Sequence, residues 1–454
     1  MYLLLLNIDT TESGYMMEKF VLKQLFRRAV ISSGIAVCSG ISIGQTINED
    51  IRISRVGATV TFGSSVSINN GLLAVGDWGA DGNAGEAYVY DAMTGVLQFE
   101  RLNAALLDFL GSAVAMDNGL IAIGIPGDNF TGSMKVYDAQ TNTLLAGFEP
   151  LGGAEGGIGT TIDMQNGLVV AAAPQDSQNG SRAGAAFLMD IDTNTILHKL
   201  IADDGEAQDS IGEQGVAIDN GYVAISAYQD DDQGINAGAV YLFDVVSGNQ
   251  IAKLYADDAG ADGFFGISIS MNDGVLAVGA RSGEIGGGGR VYLIDVSTQT
   301  PLQTVLIPGS EVTFGDSVSY DDGLVVVGDI GDDEVGTNAG AAYLIDTGTG
   351  DVIAKFLASD GDGGDQFGRT VSIDDGLVAV SSIPSSGGAV YVFSVPTDVC
   401  DADLTGDGSL NFFDVSAFLS AFAQQNPTAD FTGDGMFNFF DVSAFLQAFA
   451  TGCP

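Results

Sequence analysis

The sequence predicts an all-β seven-bladed propeller followed by a small all-α C-terminal domain, and three observations carry that expectation. The stretch Phe265 to Gly279, F-G-I-S-I-S-M-N-D-G-V-L-A-V-G, is restated seven times, the other copies opening at Phe62-Gly63, Leu110-Gly111, Ile158-Gly159, Ile211-Gly212, Phe314-Gly315 and Phe367-Gly368. The turn glycines of these copies, Gly71, Gly119, Gly167, Gly221, Gly274, Gly323 and Gly376, are spaced by 48, 48, 54, 53, 49 and 53 residues, a period that marks a repeat fold. After Pro396 the period shortens to 27 residues and the apolar pattern changes from alternation to helical spacing.

Taken in order, residues 1–44 read as a targeting segment. Lys19, Lys23, Arg27 and Arg28 form a positive region, Ala29 to Ile43 a small-residue apolar run, and Ser42-Ile43-Gly44 a cleavage site before Gln45. Export is the expectation, with residues 1–15 an upstream extension from a misplaced start. Val37 before Cys38 matches a lipoprotein box poorly, so simple secretion is favoured over a lipid anchor. No later stretch is long and apolar enough to cross a membrane as a helix.

Residues 45–397 form the repeat region. In the second copy Ser112 to Met116, Leu120 to Gly124, Met134 to Asp138 and Leu144 to Phe148 read as four short strands, one blade. The first turn is N-N-G, D-N-G, Q-N-G, D-N-G, N-D-G, D-D-G or D-D-G in successive copies, residues that tolerate the positive φ of a tight hairpin. The third strand ends in an acid in Asp91, Asp138, Asp190, Asp244 and Asp346, each placed to accept hydrogen bonds from turn amides. The seventh copy stops after Ala389 to Phe393, whereas Ile51 to Val60 precedes the first copy without a repeat of its own. Ile51 to Val56 is therefore expected to supply the missing fourth strand and close the ring.

These copies resemble FG-GAP repeats, the seven-bladed propeller of integrin α-chain heads and of many secreted bacterial proteins. Phe-Gly stands at four of the seven openings, and the G-A-P element survives as Val278-Gly279-Ala280 or Ile125-Pro126-Gly127. Integrin-type blades carry a D-x-D-x-D-G calcium loop between the first two strands; here that connection is a three-residue turn, so those calcium sites are not carried over. The acids lie instead in the loops of the opposite face: Asp77 to Asp81, Asp230 to Asp232 and Asp329 to Glu334 after second strands, and Asp203 to Asp209, Asp257 to Asp262 and Asp360 to Asp365 after fourth strands. Two readings stand: a solvated rim, or a face of weak calcium loops or for a cationic ligand.

Residues 398–454 contain two twelve-residue loops of one pattern. The first offers Asp403, Thr405, Asp407, the Ser409 carbonyl, Asn411 and Asp414; the second Asp430, Thr432, Asp434, the Met436 carbonyl, Asn438 and Asp441. Hard oxygens at positions 1, 3, 5, 7, 9 and 12 around a glycine at position 6 are what Ca²⁺ requires, with Asp here in place of the usual bidentate Glu. Val415, Phe418, Leu419 and Phe422 follow at i, i+3, i+4 and i+7, and Val442, Phe445, Leu446 and Phe449 match them, so two amphipathic helices are expected to pack together. The pair resembles a dockerin domain with EF-hand-type loops. The resemblance implies two bound Ca²⁺ ions that fold the module and attachment to a cohesin-like scaffold partner. Dockerins commonly carry small hydroxyl residues at loop positions 10 and 11; here these are Phe412-Phe413 and Phe439-Phe440. One Phe of each pair is expected to fill the small core, the alternative being an exposed aromatic surface. Cys400 and Cys453 bracket the segment, and a disulfide between them would stabilise it by roughly 4 kcal/mol.

Function is narrowed by charge and by what the motifs lack. Fifteen Lys and Arg against 59 Asp and Glu give a formal charge of −44, which argues against a nucleic-acid partner. The single histidine, His198, has no nucleophile or acid placed with it by any motif, and Trp78 is the only Trp, against the Trp-rich docking motifs of quinone-binding propellers. Two classes remain: a non-enzymatic secreted binding or adhesion protein whose propeller takes a glycan or protein ligand, or a polysaccharide-degrading enzyme with an acid pair on the propeller face.

Overall fold

The computed structural model describes residues 45–55, 59–101, 105–149, 156–256, 258, 260–281, 288–307, 310–384 and 387–395, and in the C-terminal segment 402, 404, 410, 412–423, 426–429, 431 and 436–451. The leader 1–44, Val56, Cys38, Cys400 and Cys453 lie outside the described residues.

Two short strands, β1 (Gln45–Ile47) and β2 (Ile51–Ile53), precede blade one, which comprises β3 (Ser65–Asn69), β4 (Leu72–Asp77), β5 (Glu86–Asp91) and β6 (Leu97–Arg101), paired in that order. Blades two to seven repeat the meander, their first strands being Val114–Asp117, Ile162–Gln165, Val216–Asp219, Ser268–Asn272, Phe314–Asp321 and Val371–Asp374. Each first strand contacts those of the blades on either side, and the seventh contacts β3, so the first strands close a ring around an axial channel. The expected splice is present: β2 runs antiparallel to Ala389–Ser394, with Ile51 opposite Val392 and Ile53 opposite Val390. A second, unexpected splice accompanies it. β1 adds parallel to Val352–Phe356, with Gln45 opposite Ala354, and makes blade six five-stranded.

The second and third strands are apolar on both faces because each blade is covered by two others. Leu73 to Val75, Val169 to Ala173 and Val325 to Val327 are buried throughout, and each hydrophobic cluster of the propeller spans one junction between successive blades. The Phe-Gly openings belong to these junctions. Phe62, Phe265, Phe314 and Phe367 are fully buried and meet Tyr88, Tyr292, Tyr343 and Tyr391 with ring centroids 5.3–5.8 Å apart. The following glycine has positive φ, and it abuts a glycine near the end of the second strand of the preceding blade. A Cβ on Gly76, Gly124, Gly279 or Gly328 would fall 2.0 Å from the carbonyl oxygen of Gly111, Gly159, Gly315 or Gly368. Two glycines of neighbouring repeats therefore touch across each of these junctions, which explains why the repeat carries both.

The ring is further tied by side chains from its first strands. The innermost strand of a sheet has an unpaired edge, and here Ser65, Ser67, Ser270, Ser317, Ser319 and Ser372 accept hydrogen bonds at 2.9–3.1 Å from backbone N–H groups of the next blade. At the turns Asn69, Asp117, Gln165, Asp219, Asp321 and Asp374 do the same for Asn118, Asn166, Asn220, Gly274, Asp375 and Asn70. The turn residues Asn70, Asn118, Asn166, Asn220, Asp273, Asp322 and Asp375 all have φ between 43° and 51°, as expected.

In the C-terminal segment α1 (Phe412–Ala423) and α2 (Phe439–Thr451) are the expected helices. Phe418 and Phe445, equivalent in the duplicated pattern, stack face to face with centroids 4.1 Å apart and planes 2° from parallel. Phe422, Phe431 and Phe449 complete an aromatic core. Among the described residues no helix is long and apolar enough to cross a membrane.

Candidate functional site

The loops after the second and fourth strands share one face, and the structure gives several of their acids a cationic partner that neither reading named. Some of these acids pair with cations of the third and fourth strands. Lys253 places its ammonium 2.7 Å from Asp230, 2.7 Å from Asp232 and 2.9 Å from Asp204, between the rings of Tyr241 and Tyr255. Lys355 does the same for Asp332 and Glu334, Lys199 for Asp176, Arg52 for Asp360 and Arg290 for Asp258. The Lys253 hydrogen bond and charge hold the Asp232 carboxyl below the ordinary carboxylate range despite some burial. Sequence reasoning missed these clamps because acid and base are 21 to 49 residues apart in the lysine pairs and at opposite ends of the propeller chain in Arg52 and Asp360, although a Lys recurs in the fourth strand. Among the described residues no cluster of three or more His, Cys, Asp and Glu is arranged to hold a metal.

The turn acids behave as expected. Asp91, Asp138, Asp190, Asp244 and Asp346 each accept from a backbone N–H three residues on, at 2.6–2.9 Å. Hydrogen bonds from Thr or Ser hold Asp91, Asp138, Asp190 and Asp244 below the usual carboxylate range. His198 lies in the fourth strand of blade three, with Nε2 3.1 Å from the Val246 carbonyl of blade four, a structural contact.

What remains open on this face is the mouth of the axial channel, a cavity of about 470 Å³ at the start of the first strands. Its wall is hydroxyl-rich, and those hydroxyls are tied down: Thr161 donates to the Gly212 carbonyl at 2.7 Å, Thr370 to Gly63 at 3.0 Å and Ser112 to Phe109 at 2.8 Å. Four charged residues join them. Arg281 forms a two-pronged pair with Asp316 at 2.8 and 2.7 Å, and Glu213 and Arg369 complete the set. Glu213 also lines a second cavity of about 400 Å³ between blades three and four, with Arg182, Gln208, Tyr228 and Gln229. Tyr228 is half-buried against Phe264, 6.1 Å between centroids, and the Arg281 guanidinium lies 5.9 Å from the Phe264 ring. Deeper in the channel Asp163 accepts from the N–H groups of Ile218 and Met164, both at 2.8 Å, and burial pushes its carboxyl up to about 7.

In the C-terminal module Asp403, Thr405, Asp407, Ser409, Asn411, Asp430, Thr432 and Asp434 lie outside the described residues. The described members of the two loops are Asp414, Met436, Asn438 and Asp441. Asp414 and Asp441 have no solvent exposure, in the first turns of α1 and α2. Asn438 caps α2, its side-chain oxygen accepting from the Phe440 N–H at 2.8 Å, while Asp441 accepts from the Asn438 N–H at 2.8 Å. Residues 398–454 contain eight Asp and no Lys, Arg or His. Two buried carboxylates in a segment without a cationic side chain are a donor set that fits a divalent metal, since buried charge needs a counter-charge. The expectation that one Phe of each pair fills the core is overturned. Phe412, Phe413, Phe439 and Phe440 are 77, 68, 76 and 68 % exposed, because the facing Phe418 and Phe445 already occupy the core.

A family model described as FG-GAP repeat matches residues 196–243, 249–294, 309–345 and 351–393. Three of the four matches begin in or at the fourth strand of one blade and end with the third strand of the next, so the sequence repeat straddles the structural blade. No curated protein matches the chain significantly. The glycine contacts, the buried Phe openings and the family match agree: the matched segments between residues 196 and 393 are FG-GAP repeats, and they lie within a seven-bladed β-propeller.

Proposed function

We propose that this is a secreted, non-enzymatic binding or adhesion protein: the propeller binds a glycan or protein ligand at its channel mouth, and residues 398–454 attach it to a surface scaffold. FG-GAP propellers in general support a binding or adhesion role. The observation that carries the reading is the pair of polar cavities that share Glu213, on the face where Lys253 and Lys355 neutralise acids of the loops. Of the two acids at the mouth, Asp316 is held by both prongs of Arg281 and Glu213 lies 3.9 Å from Arg182.

The tail is a dockerin-like module in this reading. Asp403, Thr405, Asp407, Ser409, Asn411 and Asp414 would hold one Ca²⁺ and Asp430, Thr432, Asp434, Met436, Asn438 and Asp441 a second; the ions supply counter-charge that the segment lacks. The exposed pairs Phe412-Phe413 and Phe439-Phe440 would form the contact with a cohesin-like partner.

A glycan array followed by product analysis tests the first half. Binding without new reducing or unsaturated ends is expected; turnover would refute the non-enzymatic reading. For the second half, EDTA is expected to abolish the helical signal of residues 398–454 in hydrogen exchange while the blade strands stay protected. Unchanged helices in EDTA would remove calcium from the proposal, and loss of both would place metal in the propeller as well.

A further inference from the structure

The two cavities on the loop face differ in charge from the rest of the molecule. In a chain of formal charge −44, the lysines of strands four, and Arg52 and Arg290, are held by carboxylates. At the channel mouth the cations are arginines, and two of them are differently placed. Arg369, exposed at the start of blade seven's first strand, has no ion pair among the described residues. Arg182, in the adjoining cavity, lies only within 3.9 Å of Glu213 and is 56 % exposed. A guanidinium with open donors is shaped for the two oxygens of a carboxylate.

Hydrogen-bonding capacity narrows the ligand further. The wall hydroxyls of Thr161, Thr370, Ser112 and Thr160 each donate their hydrogen to a backbone carbonyl. Toward the cavity they therefore offer lone pairs, and a matching ligand must bring many O–H donors at close spacing. A sugar ring does so, whereas an acidic peptide brings chiefly acceptors and one N–H per residue. Tyr228, half-buried against Phe264, supplies an apolar face beside these groups. Arg369 belongs to blade seven and Arg182 to the junction of blades three and four, opposite positions in a ring of seven, so a ligand reaching both is an oligomer that crosses the mouth.

We propose that the two cavities that share Glu213 bind an oligosaccharide of uronic acids, with Arg369 and Arg182 taking carboxylates, the wall hydroxyls accepting from sugar hydroxyls and Tyr228 packing against a ring. The proposal rests on the binding-protein reading above and specifies its ligand class.

The test is calorimetric titration of the full chain, in calcium, with oligogalacturonate, its methyl ester, a neutral cello-oligosaccharide and poly-glutamate. Oligogalacturonate is expected to bind, with affinity lost on esterification. R369Q and R182Q, both at exposed positions and checked for fold by circular dichroism, should each weaken it about 10- to 100-fold, the range for a charge-assisted hydrogen bond. Equal binding of the ester or the neutral oligomer overturns the uronate assignment and leaves the binding reading standing. Preference for poly-glutamate overturns it in favour of a protein ligand. Undiminished binding by both variants overturns the arginine roles, and no binding to any glycan in titration or array overturns the glycan assignment altogether.

Discussion

Replacing Lys253 by Met tests whether the acidic loops are solvent-facing decoration or parts of closed ion-pair clamps. The Lys253 side chain is 10 % exposed and its most buried partner, Asp230, is 4 % exposed, whereas Asp204 and Asp232 are about half exposed. The two exposed pairs contribute about 0–1 kcal/mol each. Removing the partner of a buried carboxylate costs about 3–5 kcal/mol, because Asp230 then keeps only neutral donors, the Tyr241 hydroxyl and the Asp232 N–H, both at 3.2 Å. Contacts with the Tyr241 and Tyr255 rings, 5.0 and 5.4 Å from the ammonium, add about 0.5–1 kcal/mol each, partly kept by the Met side chain. K253M should therefore lose about 3–5 kcal/mol at pH 7 in urea unfolding followed by far-ultraviolet circular dichroism. The sign of the pH dependence follows from Asp232, whose carboxyl is lowered in the fold: its contribution is present above the ordinary carboxylate value and is lost as pH falls through the folded value. The gap between wild type and K253M should thus narrow as pH drops below about 4. Adding D230N to K253M should restore most of the loss at pH 7, since the uncompensated charge is then gone. A loss under about 1 kcal/mol at pH 7, the range of an exposed pair, would refute the clamp and return the loops to a solvated rim.

Two further outcomes follow from the channel and the junctions. Asp163 has a carboxyl raised to about 7, so its ionisation opposes folding and stability should fall as pH rises from about 4 to 7. D163N, which gives up one of the two backbone hydrogen bonds, should be more stable than wild type by about 2–3 kcal/mol at pH 8.5 and by much less at pH 5; an equal effect at both pH values would contradict the assignment. G328A places a Cβ 2.0 Å from the Gly368 carbonyl oxygen and should cost more than about 3 kcal/mol, while G274A, at φ 77° in open space, should cost about 1–2 kcal/mol in the same assay. Equal costs would mean that the paired glycines are not in contact across the junction.

The blade count, the strand order, the turn chemistry and the closing of blade seven by Ile51 to Ile53 were legible in the residues alone, because each is written in local pattern: a period near fifty, alternation, N-G and D-G turns, and a leftover strand at each end. The helix pair of the tail was legible too, through apolar spacing and a duplicated loop. Tertiary structure alone decided the rest. The Lys253 and Lys355 clamps, the serines and turn acids that stitch the ring, and the contact of Gly328 with Gly368 join residues from different strands or blades, and no local pattern states which carboxylate meets which cation. The parallel addition of Gln45 to Ile47 to blade six was hidden because three residues carry too little periodicity to read. Exposure of Phe412, Phe413, Phe439 and Phe440 was settled by packing: Phe418 and Phe445, stacked across the pseudo-symmetric pair, fill the core first. The channel mouth is a property of the ring as a whole, since Arg369 and Arg182 come to one face only when seven blades close.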